Sequence, residues 1–389
     1  MEVADLLNGA RADLGDVLFR DRAHPADPAD PGPARYELLG VRGQAGHFLV
    51  PADADALAAH TLRAYNRLRP VKVRALRQGL ATAFGLGLGR HLSTRHTLAA
   101  PPGHESLLDH LAAELDEPEL RFAGTARVLE GFVTPVLQLF TPTGACLGFA
   151  KVGWDDVTRG IVDNEADALH RAARAGLGSV RVPAIAWHGA WHDLAVLVTA
   201  PMPAAVKRLA HRAPVPLTPL HEIATIDGPM RYQPLRTSGY WHDAARTVSE
   251  SAIAGRTTVA DRFEQLDARH GDVVLGFGRG HGDWVPWNLA RVGRTLHAWD
   301  WAYSAPAVPF GFDALHFSFL PAHVQQGMSR DAASARAGRV LGTALASIGL
   351  DAEQQHAVVQ LHRFEQDLRD ERAWLVRHPH SAADVQVAP

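Results

Sequence analysis

The chain has 389 residues, 47% of them hydrophobic and 21% charged, a balance that excludes wholesale disorder and predicts two domains or one large bilobal one. Its net charge of −3 gives no global basic field for a nucleic-acid backbone, so no nucleic-acid partner is expected. Cys146 stands alone and cannot form an internal disulfide, and the start Met1-Glu2-Val3-Ala4-Asp5 lacks a signal-peptide pattern. No stretch approaches the ~20 apolar residues of a membrane span. A cytoplasmic protein without membrane contact is the expectation.

In chain order, Val3 to Phe19 has helical apolar spacing, and the Pro-, Asp- and Ala-rich Asp21 to Ala34 reads as a connector. Tyr36 to Leu39 and His47 to Val50 predict two strands around the turn Gly40 to Gly46. Asp53 to Leu68 predicts a helix, followed by an Arg-studded apolar segment, Val71 to Leu92, and a helix over Leu107 to Leu115. The basic stretch Arg63, Arg67, Arg69, Lys72, Arg74 and Arg77 reads as the solvated face of a helix pair, with Leu62, Tyr65, Leu68 and Leu76 packed inward.

From residue 119 the pattern turns to strands. Leu120 to Ala126, Pro135 to Phe140 and Cys146 to Val152 predict an antiparallel meander. A helix over Thr158 to Ala175 and strands over Ile185 to His188 and Leu194 to Val198 follow. Pro201 and Pro203 then mark a hinge, and the rest reads as mostly helical with one strand-turn-strand unit near 289–299.

The chemistry concentrates in Gly280-His281-Gly282-Asp283-Trp284-Val285-Pro286-Trp287-Asn288. An Asp followed five residues later by an Asn fits a kinase catalytic loop, the aspartate accepting a substrate hydroxyl's proton and the asparagine oxygen reaching a metal ion. A predicted hairpin, Leu289 to Val292 and Thr295 to Trp299, then returns Asp300 beside Asn288, where a carboxylate can bridge magnesium to nucleotide phosphates. An Asx turn on a surface loop is the bland alternative for Asp283 alone; the spacing of Asp283, Asn288 and Asp300 argues against it.

Lysine is scarce: Lys72, Lys151 and Lys207 are the only ones among 39 Lys and Arg. Lys151 nevertheless sits on a predicted apolar strand, and Glu165 follows fourteen residues on in a predicted helix. A strand lysine paired with a helix glutamate, holding the α- and β-phosphates, is the kinase arrangement. Taken singly, each reads as a solvated charge.

With these residues in this order, residues 119–375 resemble the aminoglycoside phosphotransferase and choline-kinase group, and more narrowly a poorly characterised bacterial subgroup. The resemblance is carried by Lys151, Glu165, the His281 to Asn288 loop, Asp300-Trp301, Asp313, Pro135-Val136-Leu137-Gln138 and Phe149-Ala150-Lys151-Val152-Gly153. It implies an α+β, bilobal protein-kinase-like fold: a five-stranded antiparallel N-lobe sheet with one helix over 119–202, a mainly helical C-lobe over 203–389, and an extra N-terminal α/β segment over 1–118. It implies Asp283 as base, Asn288 and Asp300 as magnesium ligands, Lys151 and Glu165 at the phosphates of ATP or GTP, and the Thr199, Ala200 and Met202 hinge at the adenine. Asp313 corresponds to a structural aspartate. The implied reaction is phosphorylation of a small-molecule hydroxyl on a sugar, aminosugar or nucleoside-containing product; antibiotic modification and sugar metabolism are not separated, and no oligomeric state is implied.

Two features depart from the family pattern. Ala302 stands where a Glu is usual, and only Gly131 supplies glycine between Ala126 and Pro135 in the phosphate-covering loop. These favour an alternative, a pseudokinase-like nucleotide- or ligand-binding module without turnover; retention of Lys151, Asp283, Asn288 and Asp300 opposes it. No Gly-Lys-Ser/Thr exists, which removes a P-loop. His188 and His192 lack a glutamate or cysteine partner for zinc. Trp284, Trp287, Trp301 and Tyr303 offer aromatic faces for a neutral or cationic polyol, with at least two of the four expected in the core.

Overall fold

The computed structural model describes residues 35–40, 47–51, 55–64, 68, 71–88, 97–99, 105–129, 132–209 and 213–378. The helix expected over Val3 to Phe19, the connector over 21–34, the glycine turn over 41–46, and Gly131 of the phosphate-covering loop lie outside them. The chain divides into two units, Met1–Ala166 with Pro183–Lys207, and Asp167–Val182 with Arg208–Pro389.

The first unit is built on an eight-stranded antiparallel sheet in the order β3-β1-β2-β4-β5-β6-β9-β8. The strands are β1 (Arg35–Gly40), β2 (His47–Pro51), β3 (Thr97–Ala99), β4 (Arg121–Leu129), β5 (Phe132–Phe140), β6 (Cys146–Gly153), β8 (Ile185–Trp191) and β9 (Leu194–Thr199). The five strands expected from residue 119 onward are neighbours in it, and three strands from the N-terminal segment extend it. β2 joins that segment to β4 through Phe48↔Thr125 and Leu49↔Gly124.

Strand alternation sets the core. Leu137, Leu139, Ala150, Val152, Val196 and Val198 are buried together with Leu107 and Leu111 of α3 (Leu107–Glu114). Because successive side chains alternate faces, burial of Ala150 and Val152 puts Lys151 on the opposite face. Ser106 caps α3 in a capping box with Asp109. Trp187 of β8 donates its indole N–H to Glu114 at 2.8 Å, tying α3 to the sheet margin.

The helix pair α1 (Asp55–Arg63) and α2 (Val71–Gly85) differs from the expected pattern at two residues. Arg77 is buried, its guanidinium donating to the Leu62 and Thr61 carbonyls at 3.0 Å each, because the last carbonyls of α1 have no intrahelical partner. Leu76, expected inward, is 41% exposed.

Residues 203–389, expected to be mainly helical, carry α5 (Leu217–Ala224), α6 (Gly239–Ile253), α7 (Ala260–His270), α8 (Phe312–Leu320), α9 (Arg330–Ser347) and α10 (Ala352–Arg377). Two small sheets accompany them. One runs β11-β12-β15 (Arg231–Pro234, Val274–Gly280, Ala305–Pro309), the other β10-β13-β14-β7 (Lys207–Arg208, Leu289–Val292, Thr295–Ala298, Val180–Arg181). β7, β10, β11 and β15 are too short to show an apolar period, and β12 interleaves its apolar residues with Gly276, Gly278 and Gly280, so of these strands the β13–β14 hairpin alone was legible beforehand. No helix among the described residues is long and apolar enough to cross a membrane.

Candidate active site

The first unit brings Lys151 and Glu165 together. β6 ends at Gly153, where an added Cβ would lie 2.5 Å from the Thr158 carbonyl oxygen, so only glycine lets α4 (Asp156–Ala175) start this close behind the strand. Asp155 accepts the Thr158 main-chain N–H at 2.7 Å and opens the helix. Glu165 then returns to β6 and its Oε2 pairs with Lys151 Nζ. The two side chains are 14% and 7% exposed, so each ion offsets part of the other's desolvation.

Thr199 ends β9, paired with Phe149 and Ile185. The Ala200 main-chain N–H donates to the Ala184 carbonyl at 2.8 Å. Ala200 and Met202 are both half-buried in the segment after the strand. His188 and His192 lie on this unit too, lining a cavity of about 460 Å³ with Arg159, Asp163 and Asp193. His188 Nε2 contacts Asp163 Oδ1 at 2.9 Å. No group of three His, Cys, Asp or Glu side chains that could hold a metal occurs among the described residues.

The second unit brings Asp283, Asn288 and the Asp300 segment together. β12 delivers the loop, held by buried Arg279, which donates to Asp227 at 2.7 Å and to Ser304 at 3.2 Å. Ser304 donates in turn to the Gly280 carbonyl at 2.9 Å. His281 is fully buried between Trp301 and Trp284, with ring centroids at 4.5 and 5.4 Å. Burial pushes its imidazole below the usual value, against the pull of Asp313, Asp283 and Asp300. Its Nδ1 accepts the Asp283 main-chain N–H at 3.2 Å. Trp284 and Trp301 are thus core residues, and Arg369 lies over the Tyr303 ring at 5.5 Å. Trp287 is half-buried.

Asn288 Nδ2 donates to Asp283 Oδ2 at 2.7 Å and to the Asp283 carbonyl at 3.1 Å, which occupies both amide hydrogens and leaves Oδ1 as the acceptor end. The β13–β14 hairpin pairs Leu289↔Ala298 through Val292↔Thr295, and the Asn288 carbonyl accepts the Trp299 N–H at 3.2 Å. Asp300 follows immediately, held at φ 68, a left-handed conformation rare outside glycine. An amide oxygen plus a carboxylate is hard, all-oxygen chemistry, and magnesium takes one or two such protein ligands beside substrate phosphates. The donor set fits.

Two residues touching the loop, and one behind them, escaped the sequence reading. Arg369 of α10 donates to the Gly282 carbonyl at 3.0 Å. His316 of α8 places Nε2 3.4 Å from Asp283 Oδ1. His362 of α10 contacts His316 Nδ1 at 3.4 Å. His316 lies three residues after Asp313, on the same helix face, and that spacing was a usable signal.

No family model matches the chain, and no curated protein matches it. Among solved structures, the chain is similar to a thermostable mutant of the aminoglycoside phosphotransferase APH(4)-Ia, at 13% identity and TM-score 0.46, over 72% of this chain and 96% of that one. It is similar to an aminoglycoside-3'-phosphotransferase of type VIII at 20% identity and TM-score 0.41, over 66% and 98%. It is also similar to choline kinase LicA from Streptococcus pneumoniae at 12% identity and TM-score 0.41, over 72% and 97%.

Proposed function

We propose that the protein is a phosphotransferase that moves the γ-phosphoryl group of ATP or GTP to a hydroxyl of a small molecule. The observation that carries this reading is the Asp283 carboxylate, fixed by the Asn288 amide at 2.7 Å on a loop whose next hairpin returns to Asp300. Phosphoryl transfer asks a protein chiefly for positioning and charge, and these residues suit both tasks.

In this reading the acceptor oxygen forms the new bond to phosphorus while its proton passes to Asp283. The bond from phosphorus to the bridging oxygen breaks, and the nucleoside diphosphate leaves. Lys151, oriented by Glu165, would hold the α- and β-phosphates. Asn288 and Asp300 would hold magnesium, which supplies charge neutralisation at the phosphates. The Ala200 N–H already serves Ala184, so an adenine edge at the hinge would meet other main-chain groups of Thr199 to Met202. With Tyr303 faced by Arg369 and two tryptophans buried, Trp287 is the aromatic left for a neutral or cationic sugar.

The pseudokinase reading is favoured by Ala302, which is buried where a carboxylate would be usual. A ³¹P NMR screen with Mg-ATP against sugars, aminosugars, nucleosides and peptides separates the two. A phosphorylated small molecule supports the kinase. Tight Mg-ATP binding by calorimetry without transfer to any acceptor would support the pseudokinase, and product from a peptide alone would remove the small-molecule acceptor.

A further inference from the structure

Asp283 is approached from two sides. Asn288 takes Oδ2 at 2.7 Å, and His316 Nε2 stands 3.4 Å from Oδ1. The His316 side chain is 5% exposed, and behind it His362, also buried, places Nε2 3.4 Å from His316 Nδ1. Asp283, His316 and His362 thus form a file running from the loop into the packing of α8 against α10.

We propose that His316 is a positioning residue for Asp283, its tautomer set by His362, so that the Nε2–H of His316 and the amide of Asn288 together fix the carboxylate plane. This deepens the phosphotransferase reading and rests on it.

The tautomers follow from the inventory of donors. Oδ1 of a carboxylate only accepts, so His316 must carry its proton on Nε2 to serve it. In the neutral ring its Nδ1 is then an acceptor, and His362 supplies the proton from Nε2. Burial first, then His316, Arg369 and Arg363, push the His362 imidazole well below its usual range, so it stays neutral. Phe312, at 5.6 Å, and Phe319, at 5.2 Å, stand edge-to-face against His362, packing that fixes its ring orientation. At 3.4 Å the Asp283 contact lies within ion-pair range without hydrogen-bond geometry, and catalytic contacts of this kind often tighten into hydrogen bonds only when substrate binds. A carboxylate has about four acceptor positions, so these two contacts leave room for an acceptor hydroxyl.

The test has two arms. With ¹⁵N-labelled histidine, long-range ¹H–¹⁵N NMR of the wild-type protein at neutral pH should show His316 and His362 both as Nε2–H tautomers, assigned through single His→Gln variants. His316 in the Nδ1–H form would overturn the proposal. In the kinetic arm, His316→Leu should lower kcat roughly ten- to a hundredfold through misplacement of the carboxylate. The KM for Mg-ATP should stay within roughly twofold, the signature of an interaction lost in the transition state. His316→Gln, which keeps a donor near the Nε2 position, should recover most of the rate. A folded His316→Leu protein with wild-type kcat, or one not rescued by glutamine, counts against the proposal. A wild-type enzyme that phosphorylates nothing would sink the phosphotransferase reading instead, and the tautomer arm would still decide whether the file exists.

Discussion

Asp313 accepts the main-chain N–H groups of both His281 and Gly282, at 2.7 and 2.9 Å, so one carboxylate on α8 clamps the start of the Asp283 loop. Replacing it with alanine strands two main-chain donors. Asp313→Ala is expected to lower stability by about 2 kcal/mol and to reduce turnover by loosening the loop. Denaturant unfolding measures the first effect, and an unchanged midpoint would argue against the clamp.

Asp283→Asn keeps the shape of the side chain and removes its basicity. Nucleotide affinity should hold while kcat falls by ~10²-fold or more, the usual worth of a general base. Equal turnover in the two proteins would exclude Asp283 from proton transfer.

Asp300→Ala and Lys151→Ala should separate metal from phosphate recognition. The first should abolish magnesium-dependent nucleotide binding. The second should weaken the triphosphate while sparing adenosine and remove the cation that pairs with the buried Glu165 carboxylate. Calorimetry with ATP and adenosine, with and without magnesium, reads both, and wild-type Mg-ATP affinity in Asp300→Ala would refute the hairpin's role.

Gly282 has φ +83, and a Cβ there would sit 2.0 Å from the Tyr303 carbonyl oxygen. Backbone cannot yield as a side-chain tip can. Gly282→Ala should therefore cost about 3 kcal/mol or more, from strain and collision together, visible as a lowered Tm. A Tm equal to wild type would mean the loop and the Tyr303 segment are not in contact in solution.

His281 and His362 are both held below the usual histidine range, each chiefly by burial. In the unfolded chain they bind protons near pH ~6.5, whereas the folded chain resists protonation. Stability from these groups is full above that pH and falls as the pH drops through it toward their folded values. Thermal melts should show a lower Tm at pH 5.5 than at pH 7.5, with a shallower dependence in His362→Gln. Equal slopes would remove His362 from the acid response.

Much of the site could be read from the chain because its signals are local. Asp283, Asn288 and Asp300 sit on one loop and one short hairpin, and the Leu289 to Ala298 pairing has the expected turn at Gly293-Arg294. Lys151 was conspicuous as a lysine in an apolar strand. His362 and Arg369 act through contacts spanning 46 and 87 residues, and no local period reports such contacts; His316 is the exception, signalled by its place three residues after Asp313. Arg77 was misjudged for a similar reason: six basic residues in a row of turns look solvated, and only the second helix reveals that one of them caps the first.

The β2–β4 pairing has a consequence for any shortened form of this protein. Phe48 and Leu49 lie against Thr125 and Gly124, so β4 is an interior strand. A chain beginning at residue 119 would keep every residue of the candidate site yet strip β4 of its β2 partner at Gly124 and Thr125, making it an edge strand open to any passing strand. Such a fragment would be prone to stick to copies of itself, and its failure in solution would say nothing about its chemistry.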